Sequence, residues 1–571
     1  MAEVMVGSMT CNEIIQSNEY MDLLVAMDEM EKPDIIPDCT QRISENYEIW
    51  YYYRRGVPQL SVMDFTFSAI PKCFGLLDSG ALESSGILRV QNQPALALKG
   101  NGVIVGFLDT GIDYTHPAFR RSDGSTRILS IWDQTQLAGY TPAGFDYGVQ
   151  YDENQINEAL RSENPSVIVP EADTNGHGTY LAGIACGSED PVADFTGAAP
   201  LSDILVVKLK EAKQYLKDFY FIPQNATAFQ ENDIMAAISW MNAYANARNQ
   251  PLVICIGIGT NNGSHAGTSV LSDYLNEIGA FRKRAIAVAT GNEANARHHY
   301  MGRALEADQP KVVEINVEQD MKGFYVEMWA YAPEILAVAL RSPTGELVPK
   351  IIPRGGGHQD YDFVLEDTQI SIDYRIVGRN RADQLIYIQF KNAAKGIWQI
   401  NVYPENVVTG SFHMWLPMSG MLEHDVFFLE PNPDTTLTIP STARIPISVG
   451  GYDHRGGGIF IDSGRGFTAD GLVKPDFTAP AVRVQGAGLR NNYVDNSGTS
   501  IAAAITAGAC AQVMEWGIVR GKEPSMNSVE LKNMLIRGCT KNQDLAYPNA
   551  IWGYGKLDLY RSFENIVGLG G

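Results

Sequence analysis

The sequence predicts an α/β protein: a doubly wound parallel sheet, preceded by an N-terminal α+β unit and interrupted by an inserted all-β domain of jelly-roll type. Three observations predict it. Apolar, β-branched runs alternate with helical stretches from about 100 to 300 and again after 440, the pattern of parallel strands buried on both faces. Between about 308 and 440 the text changes to short alternating strands separated by Gly, Pro, Asn and Asp turns. Finally, 571 residues exceed the roughly 250 to 300 that one core sustains, so two to four domains are expected.

Taken in order, residues 10–80 combine a helix-like stretch, EYMDLLVAMDEME, with strand-like YEIWYYY and FTFSAIPKCF. The sheet strands follow as GVIVGFLDTG, SDILVVKLK, PLVICIGIG and AIAVATGN, with helices near 232–248 and 269–284 between them. The all-β stretch reads KVVEINVE, GFYVEMWAYA, QISIDYRIV, QLIYIQF and GIWQINVY. The α/β rhythm resumes at IPISVGG and KPDFTAPAV, then closes with a small-residue helix from Ser500 to about Trp516 and another near 527–537.

Lysine and arginine number 44 against 66 acids, a net charge of −22, which disfavours nucleic acid and anionic membrane as partners. No run is expected to reach the roughly 18 apolar residues of a membrane helix. The helix after Ser500 reads as core, too short and too rich in alanine and glycine for an anchor. The start, MAEVMVGSMTCNEII, lacks the basic and hydrophobic regions of a secretory signal. Seven scattered cysteines with no CxxC pair read as reduced thiols of an intracellular protein, neither a disulfide frame nor a zinc site.

Three short motifs carry chemistry. In VIVGFLDTGID, Asp109 falls at the C-terminal end of an apolar strand, the end of an α/β sheet where reactive groups gather. In NGHGTYLAG, His177 starts a small-residue helix from a glycine turn, with a ring suited to general-base work. In NSGTSIAAAITAG, Ser500 opens a helix whose N-terminal N–H groups face a developing oxyanion. A serine hydroxyl needs a base to take its proton, and that base needs an acceptor to hold its tautomer.

The motifs D-T-G, G-H-G-T and G-T-S-x-A in the order Asp, His, Ser resemble the subtilase family of serine proteases over about 80–300 and 440–565. The segment SGRGFTADGLVKPDFTAP matches a further signature of that family. The resemblance implies a subtilisin-like fold and a serine endopeptidase acting on protein and peptide substrates. It assigns Asp109, His177 and Ser500 to the triad and Asn292 of VATGNEAN to the oxyanion contact. It assigns Gly257, Ile258 and Gly259 of ICIGIGT to the strand that pairs with an extended substrate. Tyr180 stands where the family usually has a second histidine, and Ala504 where it usually has proline.

More narrowly, the signal-less start, a pro-region and a β insertion between Asn292 and Ser500 resemble the Csp subtilases of spore-forming clostridia. That resemblance implies limited proteolysis of another protein and a cytoplasmic or spore-associated location, with release from cells left open. It divides the chain into a propeptide, 1–79, a catalytic domain in two parts, 80–305 and 441–571, and the insertion, 306–440. Self-processing is expected between residues 75 and 82, with the propeptide bound as chaperone and inhibitor. No cofactor is expected to be required. Calcium is common in the family, with Asp190 and Asp194 as candidate donors, but no dense acidic ligand string supports it. His116, His265, His298 and His299 read as structural or surface residues, the last two without a carboxylate at ligand spacing. The competing readings are a self-cleaved binding or regulatory protein that retains its propeptide, and a carbohydrate-binding adhesin.

Overall fold

A computed structural model describes residues 9–27, 36–53, 65–76, 83–306, 309–352, 357–378 and 382–567. Its centre is an eight-stranded sheet. In spatial order the strands are Phe477–Pro480, Ile447–Tyr452, Arg284–Ala289, Leu252–Ile256, Ile104–Asp109, Asp203–Lys208, Ile128–Asp133 and Val149–Asp152. All neighbours run parallel except the last pair, where Ser130 faces Asp152 antiparallel.

Successive side chains of a strand point to opposite faces, and here both faces are covered. Val105, Phe107, Val253, Cys255, Ala285 and Ala287 enter one core with the helices His177–Cys186 and Thr499–Met514. Ile104, Leu108, Ile254, Ile256, Ile286 and Val288 enter the other, with the helices Glu231–Ala247 and Val270–Ala280. This is why the strands read as continuous apolar runs. The helix from Thr499 continues through a π-helical turn to Val519, 21 residues with mean hydropathy 1.3, so by length and composition it could span a membrane. The expectation that no run approaches that length is corrected. The helix is core because 89% of its apolar window is buried, packed between sheet and neighbouring helices.

The inserted region is a sandwich of two antiparallel sheets. One has six strands, His299–Arg303, Ser411–Trp415, Met321–Ala330, Asp383–Ala393, Thr368–Val377 and His358–Phe363. The other has five, Leu347–Ile351, Ile335–Arg341, Gly396–Asn406, Lys311–Val317 and Val426–Phe428. Its first strand thus lies ahead of residue 306. The sheets enclose their own core, including Phe324, Val338, Ile388, Trp398 and Ile400. The outer face of the six-stranded sheet docks on the α/β body. Tyr387 stacks on Phe219 at 5.8 Å, and Trp415 on His265 at 4.0 Å.

The N-terminal unit has a short helix, Cys11–Gln16, and a three-stranded antiparallel sheet of Tyr20–Ala26, Tyr47–Tyr53 and Cys39–Arg42. Tyr20–Ala26 was expected as helix and is a strand. It pairs with Tyr47–Tyr53 along its whole length and is buried throughout. Tertiary pairing therefore overrides the helix propensity of its Met, Leu and Ala residues. Of FTFSAIPKCF, only the end is strand, within Cys73–Leu76.

Cys11 and Cys39 form a disulfide with Cα atoms 5.8 Å apart, correcting the expectation of reduced thiols only. Folding brings together two cysteines whose spacing in the sequence carries no signal. The remaining five cysteines are free and buried, with burial pushing the thiols of Cys73 and Cys186 up to about 12 and about 11.

Candidate active site

Asp109 ends a central strand, and His177 begins a helix that the αL residue Gly176 admits (φ 95°). The His177 ring nitrogen Nδ1 lies 2.8 and 2.9 Å from the two carboxylate oxygens of Asp109. The Thr110 amide donates to Asp109 Oδ1 at 2.8 Å, and the Gly178 amide donates to Thr110 Oγ1 at 3.0 Å. Close approach here requires glycine, since a Cβ on Gly178 would fall 2.3 Å from the Gly111 carbonyl oxygen.

Ser500 sits at the start of its helix behind Gly498, and Asp109, His177 and Ser500 are 2%, 8% and 0% exposed. Gly257 reports how close the last two are. A Cβ on it would lie 3.2 Å from Ser500 Cβ and 3.4 Å from His177 Cε1. The three predicted residues, far apart in the chain, thus converge on one spot beside Gly257. Asn292 is fixed from the other side: its Oδ1 accepts from the Thr499 amide and hydroxyl, both at 3.1 Å. With its oxygen held by the residue before Ser500, its amide nitrogen remains the donating end.

Ile258 and Gly259 form an edge strand, and the chain itself supplies its partner. Leu76 pairs with Ile258 and Gly75 with Gly259, antiparallel. On its other edge this segment pairs with a strand the sequence reading missed, Phe229–Gln230: Phe74 faces Phe229 and Cys73 faces Gln230. The expected processing stretch overlaps residues 77–82, which lie outside the described residues. Thr438, also missed, fills the space between two glycines, since a Cβ on Gly259 or Gly291 would come within 2.4 or 2.3 Å of its side chain. Its amide donates to the Thr290 carbonyl at 2.9 Å, joining the end of the insertion to the Asn292 loop. The sandwich holds this region too. Buried Glu327, its carboxyl pushed up by burial, accepts from Asn262 Nδ2 and the Gly263 amide, both at 2.9 Å.

The other histidines are structural, with one correction. His298 does have a carboxylate partner: its Nδ1 lies 2.8 Å from Glu293 Oε2. Burial alone would raise the Glu293 carboxyl, but His298 and Ser419 outweigh it and hold it below its ordinary range. His299 Nε2 lies 2.9 Å from His413 Nδ1, and His116 Nδ1 accepts from the Ala118 amide at 3.0 Å. Tyr180 occupies its unusual position by laying its ring across Gly486, where a Cβ would fall 2.6 Å from it, and by donating to the Val484 carbonyl. Ala504 is buried within an unbroken helix. Asp190 spends its oxygens on the Val192 and Ala193 amides and the Tyr493 hydroxyl, while Asp194 has a left-handed φ of 50°. Among the described residues no three His, Cys, Asp or Glu side chains gather to hold a metal.

The model of the Subtilase family of peptidases matches residues 100–337 and 424–555, flanking the middle of the sandwich. The chain belongs to the subtilase family. A solved structure of the Clostridium perfringens CspB protease superposes with a TM-score of 0.76 at 34% identity, covering 85% of this chain and 97% of that one. The C5a peptidase of Streptococcus pyogenes serotype M1 is 21% identical over 442 residues, covering 72% of this chain. The match spans only about a third (34%) of that relative's length. A PII-type proteinase of Lacticaseibacillus paracasei is 32% identical over 116 residues, 19% of this chain and 6% of its own. The chain thus carries the subtilisin-like fold of that serine peptidase family and is similar over most of its length to the CspB protease.

Proposed function

We propose that this subtilase is an endopeptidase whose nucleophile is Ser500, whose general base is His177, and whose orienting carboxylate is Asp109. The carrying observation is the grip of both Asp109 oxygens on His177 Nδ1 with Ser500 sharing the space beside Gly257. His177 Nδ1–H held by the carboxylate leaves Nε2 as the base. Ser500 attacks the scissile carbonyl, and His177 passes the proton to the leaving amine. Water then hydrolyses the acyl-enzyme. Asn292 and the Ser500 amide hold the oxyanion.

The first substrate is the chain's own N-terminal unit, whose Cys73–Leu76 strand pairs with the substrate-binding edge. Limited proteolysis of another protein, within or around a spore, is the proposed later task. The test compares intact mass and fluorophosphonate labelling of wild type and Ser500→Ala. A two-fragment, labelled wild type beside an uncut, unlabelled variant supports the reading; an uncut, unlabelled wild type removes it.

A second reading, a self-cleaved regulatory protein that keeps its N-terminal unit, draws on the ion pairs joining that unit to the rest. Asp22, wholly buried, lies 2.5 Å from Lys213 Nζ and accepts from Gln230 and Asn232, both at 2.9 Å. Separating the two parts would strand buried charge on each. A nicked, labelled protein that cuts no added protein would favour it.

A further inference from the structure

We propose that Glu171 is a positioning residue for the triad, an uncharged acid that fixes the turn leaving Asp109 against the chain entering His177. The inference rests on the endopeptidase reading above and adds a residue that acts only through Asp109 and His177.

Residues 110–112 follow Asp109, and residues 169–176 lead into His177. Each stretch is tied to the His177 helix. On the first, Thr110 Oγ1 accepts from the Gly178 amide at 3.0 Å, and just beyond it the Asp113 amide donates to Thr179 Oγ1 at 2.8 Å. On the second, Asp173 accepts from the Gly176 amide at 2.8 Å and from the Thr179 amide at 3.0 Å. Glu171 closes the ring by joining the two stretches directly: its Oε1 accepts from the Ile112 amide at 3.2 Å. The carboxyl lies so close to the turn that a Cβ on Gly111 (φ 113°) would fall 2.2 Å from that oxygen. The Tyr114 hydroxyl adds a second link, donating to the Val169 carbonyl at 2.8 Å. A catalytic constellation displaced by 1 Å loses up to about 10²-fold in rate, so a clamp between the segments that carry Asp109 and His177 bears on catalysis without touching substrate.

The surroundings favour the protonated acid. Glu171 is 3% exposed, and its Oε2 is buried with no hydrogen-bond partner among the described residues. Lys208 faces it, but the lysine ammonium donates to the Ala172 carbonyl. Asp133 and Asp173 face it too, as do the Tyr114 and Tyr151 hydroxyls, and Asp109 and Asp113 flank the turn it holds. A buried carboxylate with one amide donor and acidic neighbours is costly, so the proton stays. Burial accordingly pushes the carboxyl well above its ordinary range, with Lys208 opposing and Asp133 reinforcing. When alkaline pH removes the proton, the new charge draws Lys208 from Ala172 and loosens the turn. Activity then falls on the alkaline side.

The test follows the rate at which a fluorophosphonate labels Ser500 across neutral and alkaline pH. It compares purified full-length wild type, Glu171→Gln and Glu171→Ala, with circular dichroism to check the fold. Glutamine keeps the shape and the accepting oxygen but cannot ionise. The expected result is an alkaline fall in wild type, a profile without that fall in Glu171→Gln, and a rate about 10 to 10²-fold lower at every pH in Glu171→Ala. A folded Glu171→Ala that labels as fast as wild type overturns the positioning role. An equal alkaline fall in wild type and Glu171→Gln overturns the uncharged acid, and it decides the matter even where Glu171→Ala does not fold. A wild type that takes no label at any pH removes the endopeptidase reading itself, an outcome distinct from both.

Discussion

His177 Nδ1 lies almost equally far from both carboxylate oxygens of Asp109, 2.8 and 2.9 Å, so the ring is held by charge and position at once. Asp109→Asn keeps the shape but can accept through only one atom, and its amide can favour the wrong ring tautomer. We predict a fall in kcat of about 10⁴-fold with the fold intact, read as loss of fluorophosphonate labelling rate beside an unchanged circular dichroism spectrum.

Asn292 has its oxygen occupied by Thr499, the residue before Ser500, which leaves its amide nitrogen as the donating end. Asn292→Ala should lower kcat by about 10² to 10³-fold and leave KM nearly unmoved, because the contact matters only once the oxyanion forms. A change confined to KM would mean that the side chain binds substrate instead.

Asp22 and Lys213 tie the N-terminal unit to the catalytic body in a wholly buried pair, with burial pushing the Lys213 ammonium down. Asp22→Ala leaves that lysine without its carboxylate, at an expected cost of about 3 to 5 kcal/mol. Urea unfolding should show it as a lower midpoint, and the nicked variant should release its N-terminal fragment on size exclusion where wild type does not.

His299 and His413 form a buried hydrogen-bonded pair where the sandwich meets the α/β body. Burial, reinforced by neighbouring His265, pushes His413 down to about 3, and burial with His413 pushes His299 well below its ordinary value. Both are neutral when folded and take up protons once unfolded. Their stabilising effect is therefore complete above about pH 6.5 and is lost as pH falls from there toward 3. Melting temperature should drop across that window, and His413→Asn should flatten the slope; an equal slope in both would exclude the pair as its source.

Much of this protein is written in short-range pattern. The apolar strands announce a sheet covered on both faces because alternate side chains of Ile104–Asp109 and Leu252–Ile256 enter different cores. Each of Asp109, His177 and Ser500 carries its own local signature, a strand end, a glycine turn or a helix start, so each was legible before any contact was known. Asn292 and the Gly257–Gly259 segment were marked only through the resemblance of their motifs to the subtilase family.

What it did not carry are the relationships made across long stretches of chain. Tyr20–Ala26 reads locally as helix and becomes strand only because Tyr47–Tyr53 returns to pair with it. Cys11 meets Cys39 only after that sheet forms. Glu293 finds His298, and Phe229–Gln230 becomes the second edge for Cys73–Leu76, for the same reason. Propensity and periodicity record which face of a segment is buried. They do not record which distant segment buries it, and that choice, made by the packed tertiary structure, sets the register of pairs such as Leu76 with Ile258.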